Sequence, residues 1–443
     1  MSVLNLNALS AKVGESNPSS NYMPVRTNYN ASDWQSISAL FISSALGMEL
    51  KKYGIEDFEE DCKSVFEEKL NDSTFWDVIR KAYFEKNDIL RVAPEFLLLN
   101  ANTEKIKAAD QRVARVLRNL LGDTSLNFNV EKHLNFIEKT FLGALKGKCK
   151  KVTPTQVDEP YLPFMSELFQ KDMVFLADHP KYLLQQLPEF LSLYTFLYTS
   201  QLALNLPEWR SGNPVTKPLY FILDTEKASS ERVDIKDYGW GSFKESAAAI
   251  FPLLSMLEVL QLEGQPKKTL WQVYSELQEC SDDTSYTEAL KDYALRFRKS
   301  RGLLARSVPS EHDGDTALQW FDFLLQLGKD QFDQNLAGTS TRYQANNKVV
   351  GSIVEYIAAN FIQNRRRSGN VLVLNQDYLL LLTNLAIGSE EKLRLTELIE
   401  AFEARGVYLD KQTQQKIVNF YERIGNVERM SDSGEAIYVH RTV

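Results

Sequence analysis

Gln412, Gln415, Lys416, Asn419 and Arg423 recur at three- and four-residue steps along "KQTQQKIVNFYERI" (411–424). A helix there gathers them on one face. Gln and Asn amides can bond adenine edges, and Arg can fork onto guanine. Lys411, Lys416 and Arg423, with Arg429 and Arg441 further on, carry the charge to meet phosphates. The other side of this helix holds Thr413, Ile417, Phe420 or Tyr421, and Ile424, a packing face. Two other readings fit the same polar face: a surface for a partner protein, or plain solvation. Charge does not choose between them, because residues 361–443 contain 11 Lys+Arg and 11 Asp+Glu.

Two further basic stretches are candidates for phosphate. "ALRFRKSRGLLARS" holds Arg296, Arg298, Lys299, Arg301 and Arg306, and "NRRRS" holds Arg365, Arg366 and Arg367. Arg112, Arg115 and Arg118 in "DQRVARVLRN" are a weaker group, with pairing inside the protein as the alternative. Other chemistry finds little support. No GxxxxGK[ST] loop occurs, which removes the usual cradle for a nucleoside triphosphate. The four histidines are isolated. "SEHDGD" (310–315) groups Glu311, His312, Asp313 and Asp315, yet it reads better as a solvated Asp-Gly turn than as a cation site. Asp224, Glu226 and Lys227 miss the D…ExK nuclease spacing, because the lysine directly follows the glutamate. Cys62, Cys149 and Cys280 match no zinc or CxxC pattern and suit a reducing compartment. No catalytic residue, cofactor or metal is expected.

The elements that must position the polar face are mostly helical. The chain has 443 residues, enough for roughly three domains. Its net charge of −8 argues against a bulk electrostatic grip on nucleic acid, leaving local patches. Residues 1–31 are Asn/Ser-rich, read as a flexible segment without the features of a signal peptide. From Ser32 or Asp33, a helix cap, apolar residues repeat at helical steps. A helical domain over 32–150 is followed by a pattern-free stretch at Lys146–Pro163. A second helical domain covers 151–363. Within it, the uncharged run Phe190–Leu206 reads as a buried helix instead of a membrane span. Leu219–Leu223 is a short strand or a buried extended segment. "IQNRRRSGN" (362–370) marks the next boundary.

Residues 364–443 then read as three helices and a β-hairpin. Asn375 caps the first helix, Gly406 ends the second, and the third runs from near Asp410 to Ile424 with Gly425 as its stop. Two strands around Ser433–Gly434 follow. The fold class is thus mainly α: a multi-helical body with a C-terminal winged helix-turn-helix module.

"NQDYLLLLTNL", "YLDKQTQQ", "NFYERIGNVERMSDSG" and "AIYV" give this C-terminal stretch its resemblance to the DptG (DndG) family of phosphorothioation-dependent DNA restriction proteins. The specific likeness covers about the last 70 residues of the sequence. It implies a cytoplasmic, bacterial anti-phage defence complex that attacks DNA lacking a sulfur mark. It also implies double-stranded DNA and ATPase subunits of the DptF and DptH type as partners, with no ATPase here. The resemblance transfers no catalytic residue. The expectation is a non-catalytic subunit that contributes DNA contact and assembly. A stand-alone winged-helix regulator is the alternative, and a divergent nuclease is a third reading that no motif favours.

Overall fold

The computed structural model describes residues 3–70, 73–101, 106–128, 130–152, 158–227, 232–280, 284–309, 316–336, 340–366, 369–430 and 436–443. The protein is mainly helical, as its periodicity demands. The first part comprises α1 (Leu6–Ser10), α2 (Trp34–Leu46), α3 (Ile55–Leu70), α4 (Ser73–Tyr83), α5 (Ala108–Leu121) and α6 (Phe136–Lys148). A short antiparallel ladder joins β1 (Met48–Glu49) to β2 (Lys150–Lys151). Helix α2 starts where Asp33 accepts the Ser36 amide at 2.9 Å and stops at left-handed Gly47. Helices α7 (Pro163–Asp178) and α8 (Pro180–Asn205) run through the core. The stretch from Phe190 onward on α8 is almost wholly buried, and no helix among the described residues is long and apolar enough to cross a membrane.

The run α9 (Val233–Asp237), α10 (Trp240–Ala247), α11 (Ile250–Leu260), α12 (Leu270–Glu279), α13 (Thr284–Arg301), α14 (Ala317–Asp330) and α15 (Arg342–Ser352) completes the body. Beyond it lie α16 (Gln376–Ile387), α17 (Leu395–Ala404) and α18 (Lys411–Ile424).

Leu219–Leu223 is a strand, β3, at the heart of a four-stranded sheet. Its neighbours are β5 (Asn370–Leu374) and β7 (Val407–Leu409), both parallel to it, and β4 (Ile362–Asn364) pairs antiparallel with β5. "LYFIL" and "NVLVL" are near-continuous apolar runs because both faces of these strands are covered. Leu219, Phe221, Leu223, Leu372 and Leu374 join the main core. Ile222, Val371 and Val373 pack with Ile235 of α9 on the reverse side.

This sheet changes the picture of the C-terminal region. The boundary expected at 363/364 falls inside the β4–β5 hairpin, where the Arg365 amide donates to the Gly369 carbonyl at 2.7 Å and Arg366 takes a φ of 53°. Strand β3 of the body sits between two strands of the C-terminal segment, and one contiguous apolar core runs from Val3 to Val439. The N-terminal stretch, expected to be flexible, is packed. Val3, Leu4, Leu9, Val13, Tyr22, Met23 and Val25 are buried, and the Tyr22 hydroxyl donates to the Lys267 carbonyl at 2.8 Å. Its polar composition concealed these dispersed apolar anchors.

Candidate nucleic-acid interface

Helix α18 is set by its ends. Asp410 caps it by accepting the Thr413 amide at 2.9 Å, and Gly425 terminates it in the left-handed conformation, φ 79°. Thr413, Ile417, Val418, Phe420 and Tyr421 are buried, so the packing side is close to the one expected, with Val418 added and Ile424 exposed. The Tyr421 hydroxyl meets Thr383 Oγ1 of α16 at 2.5 Å. Lys411, Gln412, Gln415, Lys416, Asn419 and Arg423 are all exposed on the opposite side. Gln415 donates to Asn419 at 3.4 Å, and the Arg423 guanidinium lies 5.7 Å from the Phe420 ring centre. Among the described residues no carboxylate pairs with Lys411, Lys416 or Arg423.

The helix is locked to the body at its N-terminus. Arg232 forks onto the Asp410 carboxylate at 2.6 and 2.7 Å and also donates to Thr413 Oγ1 and to Glu226 at 3.1 Å. Burial opposes the charge on Asp410, but the Arg232 fork and the Thr413 amide outweigh it and hold its carboxyl below the ordinary aspartate range. Glu226 is buried and accepts the Leu223 amide at 2.9 Å, which makes it a structural residue of this lock.

The wing is a three-stranded antiparallel sheet, β6 (Lys392–Arg394), β9 (Ala436–His440) and β8 (Val427–Met430), in that order. Together with α16, α17 and α18 it forms a winged helix, extended by β7 into the sheet of the body. The hairpin turn around Ser433–Gly434 lies outside the described residues. Arg429 does not stand free on the wing: Glu422 of α18 engages its guanidinium, tying wing to helix. Lys392 pairs with Glu428 and holds that carboxyl below its usual range. Arg394 donates to the Tyr438 hydroxyl at 3.0 Å and lies over its ring. Neither Lys392 nor Arg394 stands out in the sequence; their one signal is the Lys-Leu-Arg alternation of a very short strand.

No protein-family model and no curated protein sequence matches this chain.

The other basic stretches turn inward. Arg296 donates to the Leu9 and Ala11 carbonyls, and Arg301 donates to the Gly14 and Glu15 carbonyls at 2.8 and 3.0 Å. Arg298 takes the carbonyls of Leu304 and Arg306, and Arg306 forks onto Asp330. These side chains fasten the N-terminal stretch and the end of α13, with their guanidinium donors, the buried Arg301 Nε apart, directed at protein oxygens; Lys299 is exposed. Arg365 donates to the Asp224 carbonyl, Arg366 is exposed, and Arg367 lies outside the described residues. Arg112 and Arg115 bond Tyr29, Asn30 and Asn21, Arg118 bonds the Gly122 carbonyl, and Arg441 bonds the Gly388 carbonyl at 3.2 Å. The carboxylates of 310–315 lie outside the described residues. Among the described residues no three His, Cys, Asp or Glu side chains gather as a metal site.

Proposed function

We propose that this chain is a non-catalytic subunit of a bacterial phosphorothioation-dependent DNA restriction complex. Its winged helix meets double-stranded DNA, and its helical body holds ATPase subunits of the DptF and DptH type in the cytoplasm. The observation that carries this reading is the contrast between α18 and every other basic stretch. Among the described residues of the other basic stretches, Arg366 and Lys299 are exposed singly, and the remaining arginines donate to protein oxygens. On α18, three cations and three amides stand exposed side by side on a helix fixed to the body. A cation without an internal partner is free to displace counterions from a phosphate. The resemblance of the last 70 or so residues to the DptG family supports the assignment to restriction.

The wing adds orientation. Because Glu422 ties Arg429 to α18 and Lys392 bridges to Glu428, helix and wing present one surface. An acidic chain of this kind gains little from long-range attraction, so duplex affinity alone stays modest and rises within the complex. Co-expression with the two ATPases tests the assignment. The expected outcome is a co-purifying assembly whose duplex affinity falls when Gln412, Gln415 and Asn419 are changed to Ala. Tight, sequence-specific duplex binding by the chain alone, with no ATPase association, would establish the stand-alone regulator instead.

A further inference from the structure

A cleft of about 220 Å³ opens between α18 and the sheet. It lies at the carboxyl ends of the parallel strands β3 and β5, where chains emerging from adjacent strands leave a crevice. Its rim carries Asp224, Gln376, Lys416, Asn419 and Arg423, and its floor includes Leu379 and Phe420. Asp224 directly follows β3, and Gln376 is the first residue of α16. Asp224 is held in place through its backbone: its amide donates to the Leu374 carbonyl at 3.1 Å, and its carbonyl accepts from Arg365. Among the described residues its carboxylate has no partner, nor has the Lys416 ammonium.

We propose that this cleft binds the sugar-phosphate of a single nucleotide. Lys416 and Arg423 supply charge-assisted donors for the phosphate. A bare anion would use those two cations but would be repelled by Asp224 and would leave the apolar floor unused. A sugar resolves both points, because a free 3′-hydroxyl donates to a carboxylate and the sugar's carbon face covers Leu379 and Phe420. Asn419 and Gln376 provide amides for the remaining ester and ring oxygens. The cleft is too small for a duplex, so the ligand is one unit with a free 3′-hydroxyl: a mononucleotide, or the 3′-terminal nucleotide of a single strand.

The cleft shares Lys416, Asn419 and Arg423 with the duplex-binding face, whereas Lys411, Gln412 and Gln415 lie on the side of α18 that does not line it. Calorimetric titration of the full chain with dAMP, and separately with a 5′-phosphorylated single-stranded heptamer, tests it. Two variants accompany the wild type: Lys416→Gln with Arg423→Gln, and Gln376→Glu. The second places an acid at the start of a helix, where it favours folding, yet sets a negative charge beside the phosphate. Each variant should weaken binding about tenfold or more, the loss of a charge-assisted bond. Gln412→Ala, outside the cleft, should leave dAMP affinity unchanged. Saturation by both ligands identifies a free-nucleotide site, and saturation by the heptamer alone identifies a strand site. Absence of saturable binding by either ligand at millimolar concentration overturns the proposal, as does equal affinity in wild type and both variants. Loss of duplex binding in Gln412→Ala and Gln415→Ala with dAMP affinity intact separates the two interfaces.

Discussion

Changing Arg405 to Met removes the positive half of a buried pair between the end of α17 and the middle of α7. Arg405 Nη2 stands 2.6 Å from Asp172 Oδ1 and Nε stands 3.0 Å from Oδ2, with the two side chains 3% and 1% exposed. Tyr194 donates to the same carboxylate. Burial opposes the charge on Arg405, but Asp172 and Tyr194 more than restore it. In Arg405→Met the carboxylate keeps one donor and no counter-charge in a dry site. The expected loss is about 3–5 kcal/mol, the cost of stranding one member of a buried pair. The triple change Asp172→Leu, Tyr194→Phe, Arg405→Met removes the stranded groups as well and should restore stability to within about 1–2 kcal/mol of wild type. Urea unfolding followed by circular dichroism measures both. Because one core spans Val3 to Val439, the C-terminal segment should unfold with the body in one transition. A loss under about 1 kcal/mol in the single variant, or an early separate transition for residues 364–443, would refute the reasoning.

Two further outcomes follow from the same contacts. The Asp410 carboxyl is depressed in the folded protein, so its contribution is complete above the ordinary aspartate value of about 3.9. That contribution is lost as pH falls through the folded value, because the unfolded chain takes up the proton first; Asp410→Asn should therefore flatten the acid limb of a stability-versus-pH curve, and an unchanged limb contradicts the Arg232 lock. Gly406 has a φ of 82°, and a Cβ there would lie 2.2 Å from the Gln201 amide nitrogen, whose side chain is buried and bonded to the Lys217 backbone. Gly406→Ala should cost roughly 2–4 kcal/mol in urea denaturation, from backbone strain and a displaced buried amide.

The sequence was most legible where structure is local. Asn375, Asp410 and Gly425 bound their helices because a side-chain oxygen or a left-handed glycine acts on amides within the next turn. The exposed arc of α18 follows from helical spacing alone. Strands β6 and β7 were hidden, since alternation over three residues does not stand out from chance and β7 pairs with β3, a strand far away in the sequence. "NRRRSG" resembles a linker in composition, yet the strands on either side of it, β4 and β5, pair with each other, and β5 pairs with the distant β3. The arginines of α13 show the limit for sites. Composition marks them as phosphate binders, and only the fold brings the carbonyls of Leu9, Ala11, Gly14 and Glu15 against them. The cleft beside Asp224 was illegible for the same reason, being assembled from β3, α16 and α18.

The exposed face of α18 is the centre of this account, and the salt dependence of duplex binding tests it most directly. With Lys411, Lys416 and Arg423 each neutralising one phosphate, the logarithm of the duplex affinity should fall with the logarithm of salt at a slope of about −3 from these residues. Changing Lys411 and Lys416 together to Gln should reduce that slope by about 2, while folding, read by circular dichroism, stays intact. An unchanged slope in the double variant would contradict the placement of DNA on this face.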